Sequence, residues 1–305
     1  MTSLLIFLVI ALIGVAVWQL TKIFDLTQVG TSKDDSGVAN DNDNKVNGYL
    51  MFAFVGFIYI FTIYSFVAWG DLILGTPASA HGPEVDSLME ISMALIFFVQ
   101  TITQFLLHYF TFKYAGKEGQ KALYFADNHK LEAVWTIIPV IVLSGLIMYG
   151  LYTWNDIMYV DEDEDVMYVE LYAKQFAWEA RYAGEDNTLG KANVRLIEGV
   201  NTLGVDLEDP ASNDDKAVSE LHLPIGKKVV FKIRSQDVLH SAYMPHFRAQ
   251  MNCVPGMITE FSFTPTKTTD EMRMNSDVVD KVNRINKIRF ENSKLLTAKG
   301  EESLE

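Results

Sequence analysis

Residues 133–172 read AVWTIIPVIVLSGLIMYGLYTWNDIMYVDEDEDVMYVELY. Two kinds of structure meet inside this stretch. From Ala133 to Trp154 no side chain is charged, over roughly 20 residues, the length of α-helix that crosses a hydrocarbon core. The acidic run Asp161 to Asp165 then reads as a solvated linker at the membrane surface. Val166 to Tyr172 follows, β-branched and aromatic, which is the composition of a strand. The junction predicts a helical membrane anchor joined to an all-β domain outside the membrane.

Upstream of the junction, three more segments have the length and apolarity of a span: about Leu4 to Leu20, Tyr49 to Trp69 and Ile91 to Phe112. Together they predict four transmembrane helices in two hairpins. The first has the length of a secretory leader. Met1-Thr2-Ser3 gives it no basic start, and no small-residue cleavage site stands out between Val15 and Leu26, so it is read as a retained helix. Lysine placement sets the orientation. Lys113, Lys117, Lys121 and Lys130 follow the third span, and Lys22, Lys33 and Lys45 lie between the first two. Gly70 to Glu90 carries neither Lys nor Arg. Both lysine-bearing connections are therefore cytoplasmic, and the β domain lies outside. The polar stretch Thr31 to Asn47 reads as a mobile loop. The expected division is 1–72 for one hairpin, 73–156 for the second and 157–305 for the outer domain.

Glu132 stands at the cytoplasmic mouth of the fourth span. An ionisable group there can load protons into a path through the membrane; equally, an acid in a first helical turn favours the helix dipole. Trp135 suits an interface anchor, and Pro139 a kink or a first-turn position. His108 and Gln104 close the third span without a role that sequence alone assigns.

Downstream of the junction, Val229, Phe231 and Ile233 alternate with Lys232 and Arg234, and Ile258 to Phe263 alternates similarly. Pro224 to Lys227 reads as a turn and residues 183–219 as an excursion between strands. Short strands without a helical pattern before about Asp270 predict an antiparallel Greek-key sandwich. Asp277 to Lys299 reads as a charged helix. His240 is expected to end a strand and open a loop that also holds His246; imidazole suits copper. The 305 residues contain one cysteine, Cys253, so neither a disulfide framework nor a paired-thiolate site is present. A net charge of −14 speaks against nucleic acid as a partner and suits a basic protein. No phosphate-binding glycine loop or nucleophile–base pair appears.

Three stretches together resemble subunit II of cytochrome c oxidase. Glu132-Ala133-Val134-Trp135-Thr136-Ile137-Ile138-Pro139 resembles the opening of that family's second anchor helix. Asp237-Val238-Leu239-His240-Ser241, followed by Val254-Pro255-Gly256, resembles its first copper-ligand loop. Lys174-Gln175-Phe176-Ala177-Trp178 resembles its aromatic segment beside the copper. The resemblance covers about residues 80–270 and implies a cupredoxin-like outer domain on the periplasmic side of a bacterial inner membrane. It implies a dinuclear copper centre that takes electrons from a c-type cytochrome and passes them to a catalytic subunit carrying haem and further copper, coupled to proton transport. His240 would be one copper ligand, Glu132 the entrance of a proton path, and Phe176 and Trp178 the region where electrons arrive.

The chain departs from the family pattern in four ways. The family's second ligand loop, with two cysteines spaced by three residues, a histidine and a methionine, is missing; Asp277 to Lys299 stands there instead, and Cys253 aligns with a non-ligand position. Either the native chain continues past Glu305, with an outer domain incomplete here, or the site has been lost as in copper-free quinol oxidase subunits, which keep the sandwich in a structural role. Retention of His240 favours the first. Phe176 replaces the family's electron-receiving tryptophan, so the donor is expected to be tethered or held in a neighbouring respiratory complex. The extra hairpin, with Phe52, Phe54, Phe57, Tyr59, Phe61 and Tyr64, is either a lipid-facing addition or a docking surface for such a complex. The family's magnesium-associated glutamate belongs to the missing loop, so no magnesium ligand is assigned.

Overall fold

A computed structural model describes residues 2–29, 41–70, 73–117, 119–161 and 163–299. Four long helices come first: α1 (Thr2–Val29), α2 (Asp41–Trp69), α3 (Gly82–Lys113) and α4 (His129–Met158). Among the described residues, α2, α3 and α4 are long and apolar enough to cross a membrane, whereas the described apolar run of α1, Val9–Thr21, is shorter. The expected mobile loop 31–47 needs correction. Residues 30–40 lie outside the described part, but Asp41 to Asn47 is the first two turns of α2. Asp41 and Asp43 sit where the positive end of the helix dipole favours acids.

The chain divides into two compact units, residues 1–64 with 96–131 and residues 65–95 with 132–305. In the first, α2 packs against the second half of α3. Gly48 is buried, and a Cβ there would lie 2.7 Å from Phe112 Cδ2. The Tyr49 and Phe52 rings stand 5.3 and 5.2 Å from that of Phe112. Such close approach around a small residue is how helices associate in lipid, where burial from water supplies no drive. His108 is buried in the same unit, with Nδ1 on the Gln104 carbonyl at 2.7 Å.

The second unit holds the outer domain. Among the described residues seven strands form two sheets: β1 (Val166–Lys174), β2 (Ala177–Tyr182), β3 (Lys216–Val218), β4 (Lys228–Ser235) and β7 (Thr259–Phe263) in the order β3-β2-β1-β4-β7, and β5 (His240–Met244) with β6 (Ala249–Cys253). The anticipated all-antiparallel pattern is corrected at one ladder, because β1 and β4 run parallel. More than fifty residues separate them, ample for the crossover that a parallel pair requires. The alternation read in β4 holds: Val229, Phe231 and Ile233 are fully buried and meet Val169, Ala173, Ala242, Ala249, Cys253, Phe261 and Phe263 in one core.

The opposite face of the large sheet is covered too. One row of side chains crosses it from Arg181 through Glu170 and Lys232 to Glu260. Arg181, 2% exposed, donates to Glu170 Oε2 at 2.8 Å, Asp215 Oδ2 at 2.7 Å and the Gly190 carbonyl at 2.9 Å. The 183–219 excursion is thus fastened to the sheet by buried, paired charge, since a guanidinium taken out of water needs all its donors met.

The sandwich is also strapped to its anchor. Ala78 N–H donates to the His246 carbonyl (2.7 Å), Ala80 N–H to the Thr264 carbonyl (2.9 Å) and Thr266 N–H to the Ala78 carbonyl (2.8 Å). Arg248 grips Asp86 in the first turns of α3 with two bonds of 2.6 and 2.8 Å. Ser262 Oγ donates to the Ile157 carbonyl at the end of α4. After β7, Thr268 caps α5 (Thr269–Met274) in a reciprocal box with Glu271, and α6 (Ser276–Lys299) follows, as the charged helical pattern predicts.

Candidate functional site

The strongest chemical cluster lies where the β1–β2 turn meets the loop after β4. β4 ends at Ser235, whose Oγ donates to the Val238 carbonyl across a tight turn. Asp237 projects from this turn. Its Oδ2 accepts the Gln175 N–H at 2.7 Å, and its Oδ1 accepts the Val238 N–H and meets His240 Nε2, each at 2.7 Å. One carboxylate therefore joins the aromatic turn to the imidazole. These bonds, the His240 ring first and the Gln175 amide second, hold the Asp237 carboxyl down at about 2.

His240 needs correction: it opens β5 rather than ending a strand, because the 236–239 turn redirects the chain into the β5–β6 ladder, where His240 pairs with Cys253. The Trp178 ring stands 6.0 Å from the His240 ring, nearly perpendicular. Phe176, 97% exposed, forms the tip of the turn. Three expected residues, Phe176, Trp178 and His240, thus come together. His246 does not join them. It lies in the short 3-10 turn Pro245–Phe247 at the other end of β5, roughly 13 Å of strand away. Asp237 stood inside the quoted motif without a role; its spacing of three residues from His240 was the available signal.

Within residues 1–305 the donor set is incomplete for a dinuclear copper centre. Two bridging coppers need soft thiolates. Cys253 is the one thiol, its side chain belongs to the core, and burial pushes its pKa up, which keeps it protonated. Among the described residues no three His, Cys, Asp or Glu gather as metal ligands.

Glu132 lies in the first turn of α4, as expected, and is not part of this cluster. A histidine that the sequence did not single out, His81, is buried under the sandwich beside the Phe261 ring at 6.0 Å. Burial lowers its pKa, so it is neutral.

Comparison with known proteins agrees with this architecture. The profile of the cytochrome c oxidase subunit II transmembrane domain matches residues 67–153, which takes in α3 and most of α4. The profile of the periplasmic domain of the same subunit matches residues 167–279. An alternative cytochrome c oxidase subunit 2 of Bradyrhizobium diazoefficiens is 35% identical over 195 residues, 63% of this chain and 70% of that protein. A cytochrome c oxidase subunit 2 of Alkalihalophilus pseudofirmus is 24% identical over 193 residues, 60% of this chain and 48% of that protein. The crystal structure of the periplasmic domain of subunit II of the Bradyrhizobium japonicum oxidase covers 36% of this chain and 70% of its own, at 21% identity and a TM-score of 0.23. With the anchor and the outer domain both matched in order, and a relative above 30% identity matched over most of its length, the chain belongs to the cytochrome c oxidase subunit II family.

Proposed function

We infer that this chain is the electron-input subunit of a respiratory haem–copper terminal oxidase, passing electrons from a c-type cytochrome toward the catalytic subunit, where oxygen is reduced. The observation that carries this reading is the joined constellation Phe176–Trp178–His240 around Asp237. The Phe176 ring is exposed on the turn, and the half-exposed Trp178 indole, two residues on, meets the His240 imidazole. Asp237 fixes the aromatic turn against the His240 ring. The acidic chain suits a basic donor drawn in by long-range attraction.

His240 is assigned as one ligand of the family's dinuclear copper centre. Asp237 occupies Nε2, which leaves Nδ1 for metal; a ligating histidine commonly has its second nitrogen held by a carboxylate. The thiolates this assignment needs are absent from residues 1–305. A copper-free quinol oxidase subunit needs none and is the second reading; the Asp237–His240 pair favours the first. Glu132 is assigned to the entrance of a proton path, on its place at the mouth of α4.

Copper analysis and electron spin resonance of the oxidase purified with its native subunit II test the assignment. The account expects a copper signal that His240→Ala abolishes. A signal unchanged by that substitution removes His240 from the site, and absence of copper in this subunit of the wild-type oxidase selects the copper-free reading. Glu132→Gln should slow turnover and leave copper content alone; wild-type turnover in that variant removes Glu132 from the mechanism.

A further inference from the structure

The outer helix α6 has a chemistry unlike the rest of the chain. In a protein of net charge −14, this helix carries six Lys and Arg against three Asp and Glu. After Arg284 the count is four cations, Lys287, Arg289, Lys294 and Lys299, against Glu291 alone.

Two contacts tie one side of α6 to the end of α2 and the segment after it. Lys281 Nζ donates to the Ile73 carbonyl at 3.0 Å, and Arg284 donates to the Ala68 carbonyl. Ala68 lies in the last turn of α2, the end that the lysine placement assigns to the outer side. Lys281, Ile288 and Leu295 are seven residues apart and share one stripe of the helix. The stripe whose head is bonded beside the mouth of α2 therefore continues as Ile288 and Leu295. Both are exposed, 42% and 61%. The cations Lys287, Arg289 and Lys294 flank this stripe, Lys294 sitting over the Phe290 ring at 4.4 Å.

We propose that the second half of α6 is an interfacial helix that lies on the outer leaflet beside α2, with Ile288 and Leu295 immersed and Lys287, Arg289 and Lys294 bound to anionic phospholipid headgroups. An exposed apolar stripe flanked by cations is the pattern of helices that lie in a membrane surface. Its two anchor bonds place it at headgroup depth, and its sign opposes the rest of the acidic chain, which anionic lipid would repel. The occupant is thus lipid phosphate rather than a basic protein.

The test uses the intact oxidase in lipid nanodiscs, with an environment-sensitive fluorescent amino acid at Leu295. Discs are made of phosphatidylcholine alone or of equal parts phosphatidylcholine and phosphatidylglycerol. In the anionic discs the fluorophore should shift to the blue and be quenched by a quencher carried on the lipid rather than by iodide in water. Replacing the three cations together, Lys287→Gln, Arg289→Gln and Lys294→Gln, should weaken this surface partition by roughly a hundredfold. Unchanged oxidase turnover shows that the variant is assembled. A fluorophore that stays open to iodide in anionic discs overturns the proposal. One that is shielded equally in both discs, or in the variant, reports a protein cover or a purely apolar contact, and overturns it as well.

Discussion

Asp237 does two jobs with one carboxylate: it caps the aromatic turn through Gln175 and holds the His240 ring. A carboxyl whose pKa falls on folding adds stability that is complete above its unfolded value, here 3.8, and is lost as pH falls through its folded value, here about 2. The turn should therefore loosen on acidification across that window. Hydrogen exchange at the Gln175 amide checks this, and Asp237→Asn should remove the dependence; protection that stays flat in the native protein would count against the clamp. Arg181 poses a different problem, because it is buried with two carboxylates. Arg181→Met leaves Asp215 without its cation and Glu170 with Arg234 alone, and should cost the outer domain about 3–5 kcal/mol in denaturant unfolding. A loss below about 1 kcal/mol would mean the pair behaves as a surface bridge. His240, Phe176 and Trp178 were legible in the sequence because a motif marks them. Arg181 was not, since a charge in a strand looks solvent-facing until its partner, 34 residues away, folds over it.

The helices and strands differ in how far they could be read. The second, third and fourth spans were expected near 49–69, 91–112 and 133–154 and are found as Asp41–Trp69, Gly82–Lys113 and His129–Met158. Apolar length is a local property, so these were visible; the first turns of α3 were not, because they are more polar and carry Asp86 to the sandwich. β1 was legible from its β-branched and aromatic composition, β4 and β7 from alternation. β3, β5 and β6 are three to five residues long, and their pairing depends on partners rather than on pattern. Gly48 tests the α2–α3 packing. Gly48→Leu would drive side-chain atoms into Phe112 and should cost about 1–3 kcal/mol of that contact. Disulfide trapping between Asn44→Cys and Gly116→Cys, whose native partners bond at 2.9 Å, should slow in the variant; equal trapping would show that the helices tolerate the bulk. At the other end, Thr268→Ala removes the α5 cap and should lower local stability by about 1 kcal/mol, read as faster exchange of the Glu271 amide.

Taken whole, the chain is an anchor and an acidic outer domain whose chemistry gathers at one tip. The sequence showed the anchor, the sandwich and the family through motifs, and it also showed that the thiolates of a dinuclear centre are missing from residues 1–305. It could not show that His240 and His246 lie at opposite ends of β5, because separation in space is set by the ladder. Nor could it show that Asp237 links the turn to the ring. On the proposed reading a chain of net charge −14 attracts a basic c-type cytochrome, so reduction of the oxidase by that donor should slow as ionic strength rises. On the proposed function, electrons enter where Trp178 meets His240. Stopped-flow reduction of the intact oxidase by a reduced c-type cytochrome, comparing wild type with Trp178→Ala, tests it most directly. The fast phase of electron input should collapse in the variant while oxygen reduction from a chemical reductant continues. An unchanged fast phase would contradict it and place electron input elsewhere.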